Sequence, residues 1–295
     1  MIAFMQPTRS SDTPATPAPA FTPVAPGDPG EDAILALERD GVVCLRGAFD
    51  RGWMELLEGA VDACVQQAGK DSYAVKVPGE KGMFFTDNFM WKRIPAFRRF
   101  VFDSPAADLA KRLLRTDTLT FYFDFLLVKQ SGTSSATPWH QDHSYWPIDG
   151  RQVCNIWTAL DAIPRETALR FVKGSHRYET LYRAVSFDPR VSHPNQILER
   201  RLPPDFDGGE FDPADTTREI LSWDMQPGDC LVWYSRMFHS APGNLSTRRR
   251  GALSTSWFGD DVTYKDIPEG TGPTSRGDNL VPGGPMVCET FPRVR

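Results

Sequence analysis

His140 and Asp142, separated by Gln141, are residue types that can share a metal ion. The stretch around them, Thr137-Pro138-Trp139-His140-Gln141-Asp142-His143-Ser144-Tyr145-Trp146-Pro147, reads as a strand running into a loop. Side chains alternate faces along a strand, so His140 and Asp142 point the same way and Gln141 the other. Their Cα atoms then lie roughly 7 Å apart, close enough for an imidazole and a carboxylate to converge on one ion. The chain has five histidines, at 140, 143, 176, 193 and 239. Among them, only His239 follows a long apolar, strand-like run (Cys230-Leu231-Val232-Trp233-Tyr234) and precedes a turn signal. Two histidines and a carboxylate form the facial set that suits non-haem Fe(II), with coordination positions left open for reactants.

Around His239, Pro227-Gly228-Asp229 and Pro242-Gly243-Asn244 read as turns, and the chain comes back through Arg248-Arg249-Arg250 into a strand. A hairpin with its loop at Asn244 and Leu245 would set His239 and Arg250 opposite each other on adjacent strands, Cβ atoms about 5 Å apart. A guanidinium there could hold the far carboxylate of a dicarboxylate whose other end chelates the metal, since its planar fork takes a carboxylate bidentately. Alternation turns Arg249 the other way and His143 off the Asp142 face, leaving His143 a supporting or substrate contact. His176, in Gly174-Ser175-His176-Arg177, reads as a structural residue of a turn, and Trp139 and Trp146 are the candidates for pocket walls.

The elements that must position these residues follow from patterning. Residues 1–30, rich in Pro, Thr and Ala, are expected to be a disordered leader. Order begins near Glu31 with a short helix ended by Asp40-Gly41, then a strand over Val42–Arg46. Trp53, Leu56, Leu57, Ala60, Val61 and Cys64 recur at spacings of three and four, the mark of an amphipathic helix. Two further helices are expected over Ile94–Phe102 and Ala106–Leu114, the second opened by Ser104-Pro105. From Leu119 onward the signals are those of strands: Thr120–Lys129, Val153–Leu160, Ala168–Val172, Ile220–Trp223, Cys230–Tyr234 and Arg249–Phe258. Residues 184–218 lack a clear period and read as a lid or substrate loop, and the Gly- and Pro-rich tail from 268 to 295 as a surface wrap. Helices first and strands afterwards argue a single α+β domain over 31–295, with a barrel-like or sandwiched antiparallel core.

Composition narrows the function. A formal net charge of −5 argues against a general nucleic-acid binder, and no apolar run approaches the ~18 residues of a membrane span. The five cysteines are scattered without a Cys-X-X-Cys, which excludes a disulfide framework, zinc ribbon or iron–sulfur motif and points to a reducing, cytoplasmic setting.

Taken together, His140-X-Asp142, His239 and Arg250 eleven residues beyond it resemble the iron- and 2-oxoglutarate-dependent oxygenases. More narrowly they resemble the phytanoyl-CoA dioxygenase (PhyH-like) family. Tyr145-Trp146-Pro147, Trp157-Thr158-Ala159-Leu160-Asp161, the run Leu169 to Arg177, and Asn244 carry the same likeness, which spans roughly residues 31–260. The sequence departs from the family pattern at Arg165-Glu166-Thr167-Ala168-Leu169 and at Ala241. The resemblance implies a mostly β core, a double-stranded β-helix (jelly-roll, cupin-like) barrel flanked by N-terminal helices. It implies Fe(II) on His140, Asp142 and His239, with 2-oxoglutarate and O2 as co-reactants and Arg250, Trp157, Ser240 and Phe125 around the 2-oxoglutarate. It further implies hydroxylation or another oxidation of a C–H bond, with succinate and CO2 released. Halogenation is not implied, since Asp142 fills the position that related halogenases leave to chloride. The expected substrate is a small metabolite or natural-product intermediate. An acyl-CoA, served by Lys92-Arg93 and Arg98-Arg99, is the alternative within this chemistry. From a different class, the same triad could hold Zn(II) or Mn(II) in a hydrolase, an isomerase or a non-catalytic binding barrel.

Overall fold

A computed structural model of the protein describes residues 16–182, 184, 186–187, 218–266 and 279–295. Two sheets carry the architecture. The larger holds eight strands in the order β2 (Ala20–Phe21), β3 (Val42–Leu45), β12 (Cys230–Tyr234), β9 (Val153–Ala159), β14 (Arg250–Phe258), β6 (Thr120–Lys129), β5 (Phe84–Asn88) and β4 (Tyr73–Val75). The smaller holds five: β1 (Thr16–Pro17), β11 (Ile220–Ser222), β10 (Arg170–Val172), β13 (His239–Ala241) and β7 (Thr137–His140). A short separate pair joins β8 (Ile148–Asp149) to β15 (Thr263–Tyr264). The helices are α1 (Glu31–Asp40), α2 (Arg51–Gln66), α3 (Pro95–Asp103) and α4 (Ala106–Leu113).

Strand alternation assigns the two faces of the large sheet. Cys154, Ile156, Cys230, Val232, Leu253 and Trp257 face the helical layer, where they pack with residues of α1–α4 such as Leu37, Val61, Phe100 and Leu109. Trp157, Ala159, Leu231, Trp233 and Ala252 face inward and pack with Phe171, Leu221 and Ala241 of the small sheet. A sheet covered on both sides reads in sequence as continuous apolar runs, which is how β6, β9 and β12 read. This is the jelly-roll class expected from the resemblance, built as two facing sheets. The helices start and stop on local signals. The Asp50 carboxylate accepts from Trp53 N at 3.2 Å to cap α2. Gly41 closes α1 at φ 84°, a conformation that favours glycine, and a Cβ there would collide with His176 and Met237.

Three expectations need correction. The strand carrying His239 does not continue from Cys230–Tyr234: the chain turns at 235–238 and crosses to the small sheet, where His239 opens β13. His239 and Arg250 therefore do not oppose each other in one hairpin. Arg250 opens β14 in the large sheet and stands opposite Lys129. Third, the leader is ordered from Thr16: β1 runs parallel to β11, β2 runs parallel to β3, and Trp223 Nε1 donates to Ala18 O at 2.9 Å. Residues 1–15 and nearly all of the loop expected over 184–218 lie outside the described residues. Of the tail, 279–295 packs on the start of β6, with Phe291 buried and Phe121 N donating to Pro292 O at 2.9 Å. Among the described residues, no helix is long and apolar enough to cross a membrane.

Candidate metal centre

β7 and β13 run antiparallel with His140 directly opposite His239, and their rings lie 4.1 Å apart between centroids. Gln141 keeps an extended backbone (φ −115°, ψ 126°) past the end of β7, and Asp142 then opens a 3-10 turn over Asp142–Tyr145. Alternation therefore survives one residue beyond the strand and brings Asp142 to the His140 side. The Gln141 side chain goes the opposite way, donating to Arg236 O at 3.0 Å and accepting from Tyr182 N at 2.9 Å. Asp142 Oδ1 lies 3.4 Å from His140 Nε2, and Asp142 Oδ2 lies 3.6 Å from His239 Nε2. One ligand atom from each of the three lies within 4.8 Å of the others.

Neighbouring groups fix the orientation of all three side chains. His140 Nδ1 sits 2.7 Å from Pro138 O, and His239 Nδ1 sits 3.0 Å from Met237 O. A carbonyl can only accept, so each Nδ1 carries the proton and each Nε2 turns a lone pair to the common point. Burial lowers the His239 pKa to about 4, which keeps its imidazole neutral. For Asp142, burial works against ionisation, but its contacts with His239, His140 and the Trp233 N–H outweigh it and hold the carboxyl below its ordinary range. Asp142 Oδ2 accepts from Asn155 Nδ2 at 2.7 Å and from Trp233 Nε1 at 3.0 Å. Neither Asn155 nor Trp233 stands out as a site residue in the sequence. The available signal is a lone asparagine in the buried run Val153-Cys154-Asn155-Ile156-Trp157.

The triad opens on a cavity of about 50 Å³ that Arg250, Trp157, Phe125 and Trp146 also line. Arg250 is 2 % exposed and comes in from the facing sheet. Its Nη1 donates to Thr167 O at 2.6 Å, its Cζ lies 5.6 Å from the Trp157 ring centre, and its buried Nε has no hydrogen-bond partner. Burial without a carboxylate beside it lowers its pKa to about 10. Arg249 points outward, as alternation requires, and pairs with Asp161 at 3.0 Å and Asp62 at 2.8 Å, while Arg248 is exposed. Ser240 follows His239 on β13 and is not among the described residues lining the cavity, because alternation turns it to the other face. Trp139 likewise lies away from the cavity, against Val172, Tyr182 and Phe238. His143 sits off the triad with Nδ1 2.9 Å from Ser235 Oγ. His176 bonds to Glu38 O at 3.2 Å and stacks on Tyr234.

Lys129, opposite Arg250, is fully buried. Its Nζ donates to Pro242 O at 2.8 Å and Ala241 O at 3.4 Å, and its own carbonyl accepts from Asn244 Nδ2 at 2.8 Å. One residue thus clamps the chain leaving β13 from both its side chain and its backbone. Nothing in the sequence marks Lys129 for this, since a lysine at a strand end ordinarily lies in solvent.

Comparison with known proteins places this geometry. A crystal structure of the non-haem α-ketoglutarate-dependent carbocyclase SnoK from nogalamycin biosynthesis superposes with a TM-score of 0.69 at 20% identity, covering 92% of this chain and 99% of that one. The corresponding epimerase SnoN superposes at 0.66 and 20% identity, covering 90% and 98%. A probable phytanoyl-CoA dioxygenase of Caenorhabditis elegans is 24% identical over 156 residues, which are 50% of this chain and 44% of that protein. The chain thus spans less than half the length of that curated relative. Residues 37–252 match the family described as Phytanoyl-CoA dioxygenase (PhyH), nearly the whole stretch from α1 to the start of β14. With most of its length matched, this chain belongs to the phytanoyl-CoA dioxygenase (PhyH) family.

Proposed function

We propose that the protein is an Fe(II)- and 2-oxoglutarate-dependent oxygenase that oxidises a C–H bond of a small molecule. The single observation that carries this reading is the pairing of a two-histidine, one-carboxylate cluster with a buried, carboxylate-free arginine across the same cavity. The donor set fits iron: two neutral imidazoles with Nε2 lone pairs inward and one carboxylate, gathered on one side. His140, Asp142 and His239 would hold the metal, and with 2-oxoglutarate and O2 it supplies the oxidising power, succinate and CO2 being the co-products.

The chain's own residues do the rest. Arg250 offers its orphaned Nε and the rest of its fork to the far carboxylate of the dicarboxylate, and Trp157 backs the guanidinium. Asn155 and Trp233 hold Asp142 so that its remaining oxygen is turned to the metal. Phe125, Trp146, Leu169 and Phe187 wall the cavity with apolar surface and keep water from the reacting groups. Solved relatives described as a carbocyclase and an epimerase share this fold, so the product is assigned only as an oxidation at carbon, hydroxylation being the simplest case. Anaerobic Fe(II) followed by 2-oxoglutarate is expected to give a weak visible charge-transfer band that zinc cannot give. Absence of the band, with zinc bound in preference to iron, would replace this reading with the hydrolase or binding-barrel class.

A further inference from the structure

A second and larger cavity lies beside the metal centre. Its volume is about 650 Å³, within the range of roughly 300–1,000 Å³ over which sites enclose a drug-sized molecule. Two stretches distant in sequence wall it: Val75, Val77 and Pro78 at the end of β4, and Ala136 and Pro138 along the entry to β7. Phe187 lines both this cavity and the smaller one at the triad. Its ring meets His140 edge-on at 5.1 Å between centroids. Pro138, in the same wall, supplies the carbonyl that holds His140 Nδ1. The larger cavity is thus built on the strand that carries one of the three cluster residues.

We infer that this cavity receives the body of the substrate, and that the substrate is a neutral, largely apolar small molecule and not a coenzyme A thioester. The inference rests on the oxygenase reading above. Among the described lining residues Lys76 is the one ionisable side chain, and Ser134, Ser135 and Ser186 supply the remaining polarity. A coenzyme A carries several phosphate charges, and such groups are held by clustered arginines and lysines or by backbone N–H groups at a helix start. Neither lines this cavity among the described residues. The basic residues that a sequence reading could assign to that task are engaged elsewhere. Lys92 donates to Thr290 at 2.7 Å, Arg93 pairs with the buried Asp87, and Arg98 and Arg99 lie over the rings of Phe102 and Trp53 in the helical layer. What the cavity offers is apolar contact, which favours an uncharged scaffold with hydroxyl or carbonyl groups at its edge for the serines.

The test uses the full chain loaded anaerobically with Fe(II) and 2-oxoglutarate, and the neutral fluorescent probe N-phenyl-1-naphthylamine. The probe is expected to bind saturably, to be displaced by long-chain alcohols, and to be displaced by lauroyl-coenzyme A no better than by dodecanol. Ala136→Trp, whose exposed site points new bulk at the cavity, is expected to weaken the probe about tenfold. Pro78→Trp on the opposite wall is expected to do the same, and serves as the deciding variant if the first does not fold. Both variants are expected to keep the iron–2-oxoglutarate charge-transfer band. Unchanged probe affinity in the folded variants would overturn the inference. So would lauroyl-coenzyme A displacing the probe far better than dodecanol and losing that advantage in Lys76→Glu. A parent protein that binds the probe but gives no band would instead sink the oxygenase reading and leave the cavity standing.

Discussion

Arg250 and Lys129 stand opposite each other on β14 and β6, two buried basic side chains with no carboxylate in ion-pairing reach of either among the described residues, and burial together with the charge of Arg250 holds the Lys129 pKa well below its ordinary value. Isolated buried charge is costly unless something compensates it. Lys129 is compensated by two carbonyls, Pro242 O and Ala241 O, and by the Phe84 ring at 4.8 Å. Arg250 has Thr167 O and a ring face, and one N–H without a partner. The arrangement is short of one anion, which the dicarboxylate of the proposed function would supply.

Arg250→Ala should raise the 2-oxoglutarate KM by about a hundredfold or more, since charge-assisted hydrogen bonds in a buried site are among the strong ones. Iron affinity should change little, because Arg250 touches none of the three cluster residues. Initial rates against 2-oxoglutarate concentration measure the first, competition with a chromophoric chelator measures the second, and titration of 2-oxoglutarate into the anaerobic iron protein gives the cosubstrate affinity directly. Equal cosubstrate affinity in parent and variant would move the role elsewhere; Arg249, committed to Asp161 and Asp62, is the worse candidate on this geometry.

Lys129→Met keeps the length and apolar stem of the side chain but removes the amine that ties β6 to the exit of β13. The 2-oxoglutarate Kd is expected to rise about tenfold, through the loosened hold on the chain leaving β13 at Ala241 and Pro242. Thermal stability should fall by only roughly 1–3 kcal/mol, the cost of two carbonyls left without a donor, because removing a polar amine from an apolar surrounding offsets part of it. A large loss of Tm with unchanged cosubstrate affinity would make Lys129 a structural tie only.

Asn155→Leu should weaken Fe(II) binding about 10–100-fold, the usual effect of removing the group that orients a ligand. Asp142→Ala should abolish tight binding. Competition with a chromophoric chelator ranks the two, and an Asn155→Leu variant with parental affinity would show that Trp233 alone suffices to hold Asp142.

His176 gives the pH dependence a definite sign. Burial first, and Arg177 second, lower its pKa to about 4 from the ordinary 6.5. Between those values the unfolded chain binds a proton that the folded one refuses, so stability falls as the pH drops from 6.5 toward 4 and levels off below that. The contribution is roughly 2 kcal/mol after allowance for its partial exposure. His176→Gln should remove its share of this limb in urea titrations of the metal-free protein, while His143 and His239, lowered by burial to about 3 and about 4, keep the rest. A slope identical to the parent's would assign the pH dependence to other groups.

Much of the candidate site was legible because its geometry is local. His140 and Asp142 share a side through one extended residue, and the buried Arg250 and the outward-facing, half-buried Arg249 separate by strand alternation alone. The placement of β13 was not legible. A three-residue strand has no period to detect, and the turn at 235–238 that carries the chain between sheets looks like the end of the Cys230–Tyr234 run. β5 was hidden for another reason. Its Phe84-Phe85-Thr86-Asp87-Asn88 mixes apolar and charged residues, and the pairing of Asp87 with Arg93 and a hydrogen bond from Asn88 N make a carboxylate tolerable inside. Asn155 and Trp233 lay inside apolar runs, where burial, not pattern, gives them their task.

Gln141 joins the two neighbouring cluster residues to something beyond them. Its amide holds Arg236 on one side and Tyr182 on the other, and Tyr182 marks the way into the segment that follows β10. Because Gln141 is the one residue between His140 and Asp142, the amide fixed at both ends is also the common mount of both side chains, and replacing it would unseat the two together.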